Sequence, residues 1–213
     1  MSNPQKSPQE SRRLKTRAAL MSAGARLLAE RPIDAIPISD IADAAGVAKG
    51  SFFNHFVDKD DLAVAIAAEI RAEVECRVTG ANAGVTDSPV RIARAVAGFV
   101  QFARIDPIRA RIMLRGHDWT AIADHPLNHG IPADIAAGQT AGRLRPGSLA
   151  AMVIFVAGSC HMLLVAAVSD PLALPQVRQL TADLIGLVLS GLGLPEPEAT
   201  AIAAAAVAEV VMD

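Results

Sequence analysis

Residues 38–56 read ISDIADAAGVAKGSFFNHF, and the order of residue types in this stretch leaves few ways to fold it. Ile41 and Ala42 are apolar, Gly46 and Val47 follow, and Phe52 comes next at helical spacing. Two short helices packed through a tight turn bury all of these apolar positions at once. Gly46 suits the turn, because reversing direction between helices calls for a residue that tolerates positive φ. Ala42 lets the helices approach closely. The spacing therefore fits a helix-turn-helix.

The second helix is expected over 48–56. It holds Phe52, Phe53 and Phe56 in a chain with six Phe, one Trp and no Tyr. At about 100° per residue, with Ala48 at zero, Phe52 falls near about 40° and Phe56 near about 80°. These two rings share a face, which must be the core side. Gly50 and Asn54 lie opposite, with Ser51 and Phe53 on the flanks. The outer face is small and hydrogen-bonding, and its glycine lets backbone approach a surface. Such a face matches a recognition helix in a major groove, where Asn can bond two edge atoms of adenine and Ser can reach base or phosphate.

The charge pattern agrees. Net charge is −2, yet Lys6, Arg12, Arg13, Lys15, Arg17 and Arg26 stand against Glu10 alone in the first 26 residues. Cations at the start of a helix oppose its dipole, so their placement makes sense if an anion faces them. Lys49 and Lys59 are candidates to neutralise phosphate, and the amides opening a helix at Lys59 add dipolar attraction.

The remaining sequence divides into helices with no convincing strand. Residues 11–30 form a helix with Leu14, Ala18, Met21, Ala25 and Leu28 on its buried stripe, ended by Arg31 and Pro32. Residues 38–45 form the first helix of the motif, and Asp58 caps another from Lys59 to about Thr79. Ser88 and Pro89 open a helix to about Ile105, and "DPIRARIMLRG" forms the next. Residues 133–144, about 148–169 and 176–191 follow, and a C-terminal helix closes the chain.

Taken together, ISDIADAAGVAKGSFFNHFVDKDDL resembles the DNA-binding signature of the TetR family of transcriptional regulators, with the match extending over about 12–62. The resemblance implies an all-α protein: a three-helix helix-turn-helix DNA-binding head at 1–62, and a helical effector-binding and dimerisation domain at 63–213. It implies a homodimeric repressor, cytoplasmic and not an enzyme, that leaves a double-stranded DNA operator when a small-molecule effector binds. By motif position Lys49, Gly50, Ser51, Phe53, Asn54, His55 and Lys59 are the expected DNA contacts, joined by Arg12 and Arg13. Two positions depart from the family pattern. Phe53 stands where Tyr is common and lacks its hydroxyl, and Pro37 stands where Ser or Thr usually opens the helix.

Family architecture makes 148–169 and 176–191 the dimerisation pair. Phe99, Phe102, Met113, Trp119, Phe155 and His161 are then candidates to line the effector cavity, although aromatic and Met side chains are mostly interior in any case. The stretch 146–169 carries no Asp, Glu, Lys or Arg and is long enough to span a bilayer. The alternative is a helix buried in a bundle or subunit interface. Small and polar residues at 158–161 and the absence of a polybasic flank favour that alternative, so no membrane association is expected.

Cys76 and Cys160 lie far apart without metal spacing and are expected to be small buried hydrophobes. His117, Asp118, His125 and His129 cluster, but Pro126 and Gly130 break any regular helical pair. No metal and no cofactor are expected. No nucleophile triad, phosphate loop or zinc-protease motif supports catalysis. Two other readings remain: an effector or redox sensor without specific operator recognition, and an interaction protein anchored through 146–169.

Overall fold

Capping chemistry sets where the helices begin. Ser7 accepts the Glu10 amide at 3.2 Å and Pro8 occupies the first turn, so α1 (Pro8–Glu30) starts three residues before the expected residue 11. The structure is a computed structural model that describes residues 7–115, 130–169 and 173–212. Among these residues there are ten α-helices, one 3₁₀ turn and no strand. The all-α reading holds. The chain forms two compact units, 1–69 and 70–213. The division falls after Glu69, inside a helix, where the expectation put it after Leu62.

In the N-terminal unit α1 is followed by a 3₁₀ turn (Ile33–Ala35), α2 (Ile38–Ala44), α3 (Lys49–Phe52) and the first part of α4 (Lys59–Ala81). The buried face of α1 is Leu20, Met21, Ala23 and Gly24, while Leu14 and Ala18 are exposed. The expected stripe was rotated because Gly24 carries no hydropathy signal. A Cβ on Gly24 would come within 2.9 Å of both Leu62 and Ile66. The absence of that atom marks where α4 packs closest. Ile41, Ala42, Phe52 and Phe56 are all buried as expected, and Gly46 has φ +68° at the turn.

The C-terminal unit contains the rest of α4, then α5 (Ser88–Ile105), α6 (Pro107–Arg115), α7 (Gly130–Thr140), α8 (Leu149–Ser169), α9 (Leu174–Gly191) and α10 (Glu196–Val210). Helix α5 lies at its centre, packed against α6, α7, α8, α9 and α10. Gly98 lets Val78 of α4 come close, since a Cβ there would stand 2.9 Å from Val78 Cγ2. Helix α7 ends earlier than the expected Leu144. Gly142 takes φ +67°, Arg143 N–H donates to Gly138 O at 2.8 Å, and Leu144 folds back onto Gly138. The unit is tied by Arg143, whose guanidinium donates to Asp87 at 2.8 and 3.0 Å and to Glu198 at 2.7 Å.

The uncharged stretch is α8, and among the described residues it is the one helix long and apolar enough to cross a membrane. It packs against α5, α6, α7 and α9, burying Met152, Val153, Val156, Cys160, Leu163 and Leu164. Its other face leaves Ile154 and Met162 exposed, and neighbouring α9 leaves Leu180 and Leu187 exposed.

Candidate nucleic-acid interface and effector cleft

The second helix of the motif is shorter than the expected 48–56. Regular α-structure covers Lys49–Phe52, and residues 53–55 continue as a turn. There Asn54 N–H donates to Ser51 O at 3.3 Å and His55 N–H to Phe52 O at 2.9 Å, before Phe56 N–H returns to Phe52 O at 3.0 Å. Tightening to bonds of three-residue reach is common at helix ends. So short a helix cannot stand alone, and its rings hold it. Phe52 is fully buried, meets Phe53 edge-on at 5.5 Å and meets Phe56 at 5.7 Å.

Around that anchor Lys49, Gly50, Phe53 and Asn54 are exposed, and Ser51, His55 and Lys59 are half-buried. A Cβ on Gly50 would meet nothing within 4 Å, so the fold itself does not require glycine there. Helix α1 adds exposed Arg12 and Arg13, and Arg17 lies over the Phe56 ring at 4.7 Å. His55 is held below its ordinary pKa by burial first, then by the positive charges of Arg13 and Arg17.

Lys59 has work within the fold. Its ammonium donates to Ile33 O at 3.1 Å and Asp34 O at 3.0 Å, capping the 3₁₀ turn. Arg31 completes the clamp by pairing with Asp40 of α2 at 2.6 Å and reaching Ala35 O at 3.3 Å. Helix α4 opens with Asp58 accepting Asp61 N–H at 2.8 Å, while Asp61 accepts Val57 N–H at 3.0 Å. Pro37 caps α2 with no side-chain bond.

The C-terminal unit holds a cleft with two adjoining ends that share Ile92, Ala95, Phe99 and Ile131. Counting space continuous with solvent, the ends enclose about 570 and 500 Å³. The first is apolar, lined by Val96, Met113, Val156 and Leu164, with Arg71, Cys160 and His161. The second has a largely apolar wall as well, and is distinguished as the polar end by the side chains it adds, Glu75, Thr79, Asn82, Arg91 and Asp134.

Of the residues expected to line a cavity, Phe99, Met113 and His161 meet in the first end. Phe102 is buried elsewhere, beneath the Arg109 guanidinium at 5.8 Å. Phe155 is partly exposed with its ring against Gly191, where a Cβ would approach within 2.8 Å. Trp119 lies outside the described residues, as do His117, Asp118, His125 and His129. Among the described residues no cluster of His, Cys, Asp and Glu is arranged to hold a metal. Sequence reading missed the whole polar end. Its residues come from α4, the turn that follows it, α5 and α7, and a helical pattern marks which face is polar but not that two such faces meet.

The electrostatics of the cleft follow from burial. Arg71 pairs with Glu75 at 3.1 Å and lies over Phe99 at 5.9 Å. Burial raises the Glu75 pKa against the opposing pull of Arg71. Burial, then Arg71, lowers that of His161. The Cys160 thiol is pushed up to about 12 by burial, so it stays protonated at neutral pH and is a poor redox sensor. Cys76 is exposed on α4, contrary to expectation, because its position lies on the outer face of that helix.

Residues 20–66 match the family model for bacterial regulatory proteins of the TetR family. Three solved structures are similar over most of the chain. One is RolR in complex with resorcinol, 21% identical, covering 91% of this chain and 95% of that one with a TM-score of 0.68. Another is a TetR-family transcription regulator from Shewanella sp. PV-4, 17% identical, covering 84% and 99% with a TM-score of 0.71. The third is FadR from Bacillus subtilis in complex with stearoyl-CoA, 17% identical, covering 82% and 98% with a TM-score of 0.66.

Proposed function

We propose that the chain, whose residues 20–66 match the model for bacterial regulatory proteins of the TetR family, is a homodimeric, cytoplasmic transcriptional repressor of that family. It binds a pseudo-palindromic operator and leaves it when a small-molecule effector occupies the C-terminal cleft. The observation that carries this reading is the exposed set Gly50, Phe53 and Asn54, held on a one-turn helix and the turn that continues it, which could not exist without buried Phe52 and Phe56. Nothing in the packing demands a glycine at 50, whereas close approach to a groove does.

Asn54 reads a base edge, Ser51 serves base or phosphate, and Lys49, Arg12 and Arg13 supply charge to the backbone. Two copies place two recognition helices in successive major grooves about 34–36 Å apart. The apolar outer faces of α8 and α9, with open Gly158 and Gly186, suit pairing with a second copy. A bilayer-spanning α8 would have to abandon α5, α6, α7 and α9, which supports the dimer over the anchor. That similar structures are complexes with resorcinol and with stearoyl-CoA supports a small-molecule effector for this chain. Release follows to the extent that the effector prefers the conformation unable to bind DNA, whatever its absolute affinity.

Selection of duplexes from a random pool at physiological salt tests this directly. A two-fold-related motif should emerge, and Asn54→Ala should lose about 1–3 kcal/mol of discrimination for it. Equal loss on selected and random DNA would remove Asn54 as a base reader, and failure to enrich any motif would remove the repressor reading.

A further inference from the structure

The two ends of the cleft differ in what they ask of a ligand. In the polar end Asn82 is 2% exposed, and its amide orientation is fixed because Nδ2 donates to Arg91 O at 3.1 Å. The remaining oxygen, Oδ1, is buried and has no hydrogen-bond partner among the described residues. A buried acceptor left unmet is costly, so this atom favours an incoming donor.

Among the described residues the charges nearby are already balanced. Arg91 is ion-paired with Asp134 and also donates to Asn82 O at 3.1 Å and Val85 O at 3.2 Å. Arg71 is paired with Glu75. Each guanidinium at the cleft therefore has a carboxylate of its own. An entering carboxylate would have to displace Glu75 or Asp134 while facing the Asn82 oxygen, and an ammonium would meet no uncompensated anion. The adjoining end, where Phe99 turns from the polar to the apolar wall, takes a hydrocarbon or aromatic body.

We infer that the cleft takes an uncharged, largely apolar molecule carrying a hydroxyl donor, of the alcohol or phenol class, whose hydroxyl bonds to Asn82 Oδ1. This assignment rests on the reading of the C-terminal cleft as the effector site and deepens it by naming the chemistry. The donor is what the site lacks, and charge is what it does not need.

Calorimetric titration of the full-length protein at pH 7 with 4-butylphenol, 4-butylanisole and 4-butylbenzoate tests it, because the three share a body and differ in the head. The phenol, neutral at this pH, should bind at least about tenfold more tightly than the ether or the carboxylate. In Asn82→Leu the advantage of phenol over ether should shrink to about twofold while the ether binds as before. That variant also loses the bond to Arg91 O, so the comparison of three ligands on the unaltered protein stands by itself if it fails to fold. Ether or carboxylate binding as tightly as the phenol, or a phenol that does not bind, overturns the assignment. Operator affinity is read separately: a phenol that binds with the expected preference yet leaves operator affinity unchanged upholds the ligand class and sinks the effector reading.

Discussion

Lys59→Met separates two jobs that one lysine can do. In the sequence Lys59 is a phosphate contact by position, whereas in the structure its ammonium caps the carbonyls of Ile33 and Asp34 at 3.1 and 3.0 Å. A hydrogen bond from a charged donor contributes about 1.5–3 kcal/mol when well shielded. Lys59 is only half-buried, so solvent screening brings the pair of bonds down to about 1–2 kcal/mol together. Met keeps most of the stem packing, so the loss isolates the ammonium. In a unit of this size a loss of 1 kcal/mol lowers the melting temperature by about 4–8 °C, so the N-terminal transition should fall by about 4–16 °C.

Lys49→Met is the control, because Lys49 is exposed on α3. It should leave melting unchanged and flatten the salt dependence of operator binding by about one phosphate contact. For Lys59→Met the salt slope should stay within a fraction of that. Calorimetric melting and a salt titration of DNA affinity measure both quantities on the same preparations. If Lys59→Met melts like the parent and flattens the slope as Lys49→Met does, the carbonyl clamp is wrong and the lysine faces phosphate.

Three further outcomes follow from the geometry. Gly46→Ala should cost about 1–2 kcal/mol in chemical denaturation, wholly from the left-handed backbone at φ +68°, since a Cβ there meets nothing within 4 Å. Leu187 is 68% exposed, so Leu187→Glu should leave each protomer folded by circular dichroism yet shift sedimentation from dimer to monomer. A variant that remains dimeric removes α9 from the interface. His161 has a folded pKa below its unfolded value, so the unfolded chain binds more protons and stability rises with pH through this range. Its contribution should be complete above about pH 6.5 and lost as pH drops through the lowered folded value. His161→Gln should flatten that part of the stability profile, and an unchanged slope would show that another group titrates.

The helix-turn-helix was legible because its information is local. Gly46 sets a turn, Ile41, Ala42, Phe52 and Phe56 set the inner faces, and each relation spans only a few residues. The resulting contrast between buried rings and exposed Gly50 and Asn54 can be worked out on a helical wheel. Where local reasoning overreached, the cause was a residue whose role depends on a neighbour. Gly24 looks neutral in a hydropathy pattern but sits where Leu62 and Ile66 press closest, and Gly142 ends α7 by letting Leu144 fold back on Gly138.

The cleft lies at the other extreme. Asn82, Glu75, Arg91 and Asp134 come from three helices and a turn, and nothing in their spacing says that they adjoin. Phe155 and Phe102 were plausible cavity residues by type, yet packing sends one ring to Gly191 and the other beneath Arg109. By itself, then, the sequence determined helices, turns and the polarity of each helix face, because these depend on backbone propensity and short-range periodicity. Only the tertiary structure decided that Lys59 holds a 3₁₀ turn, that two guanidiniums are neutralised by carboxylates, and that a buried Asn82 oxygen has no hydrogen-bond partner among the described residues. Those are facts of which faces meet, and faces meet through the packing of the whole core.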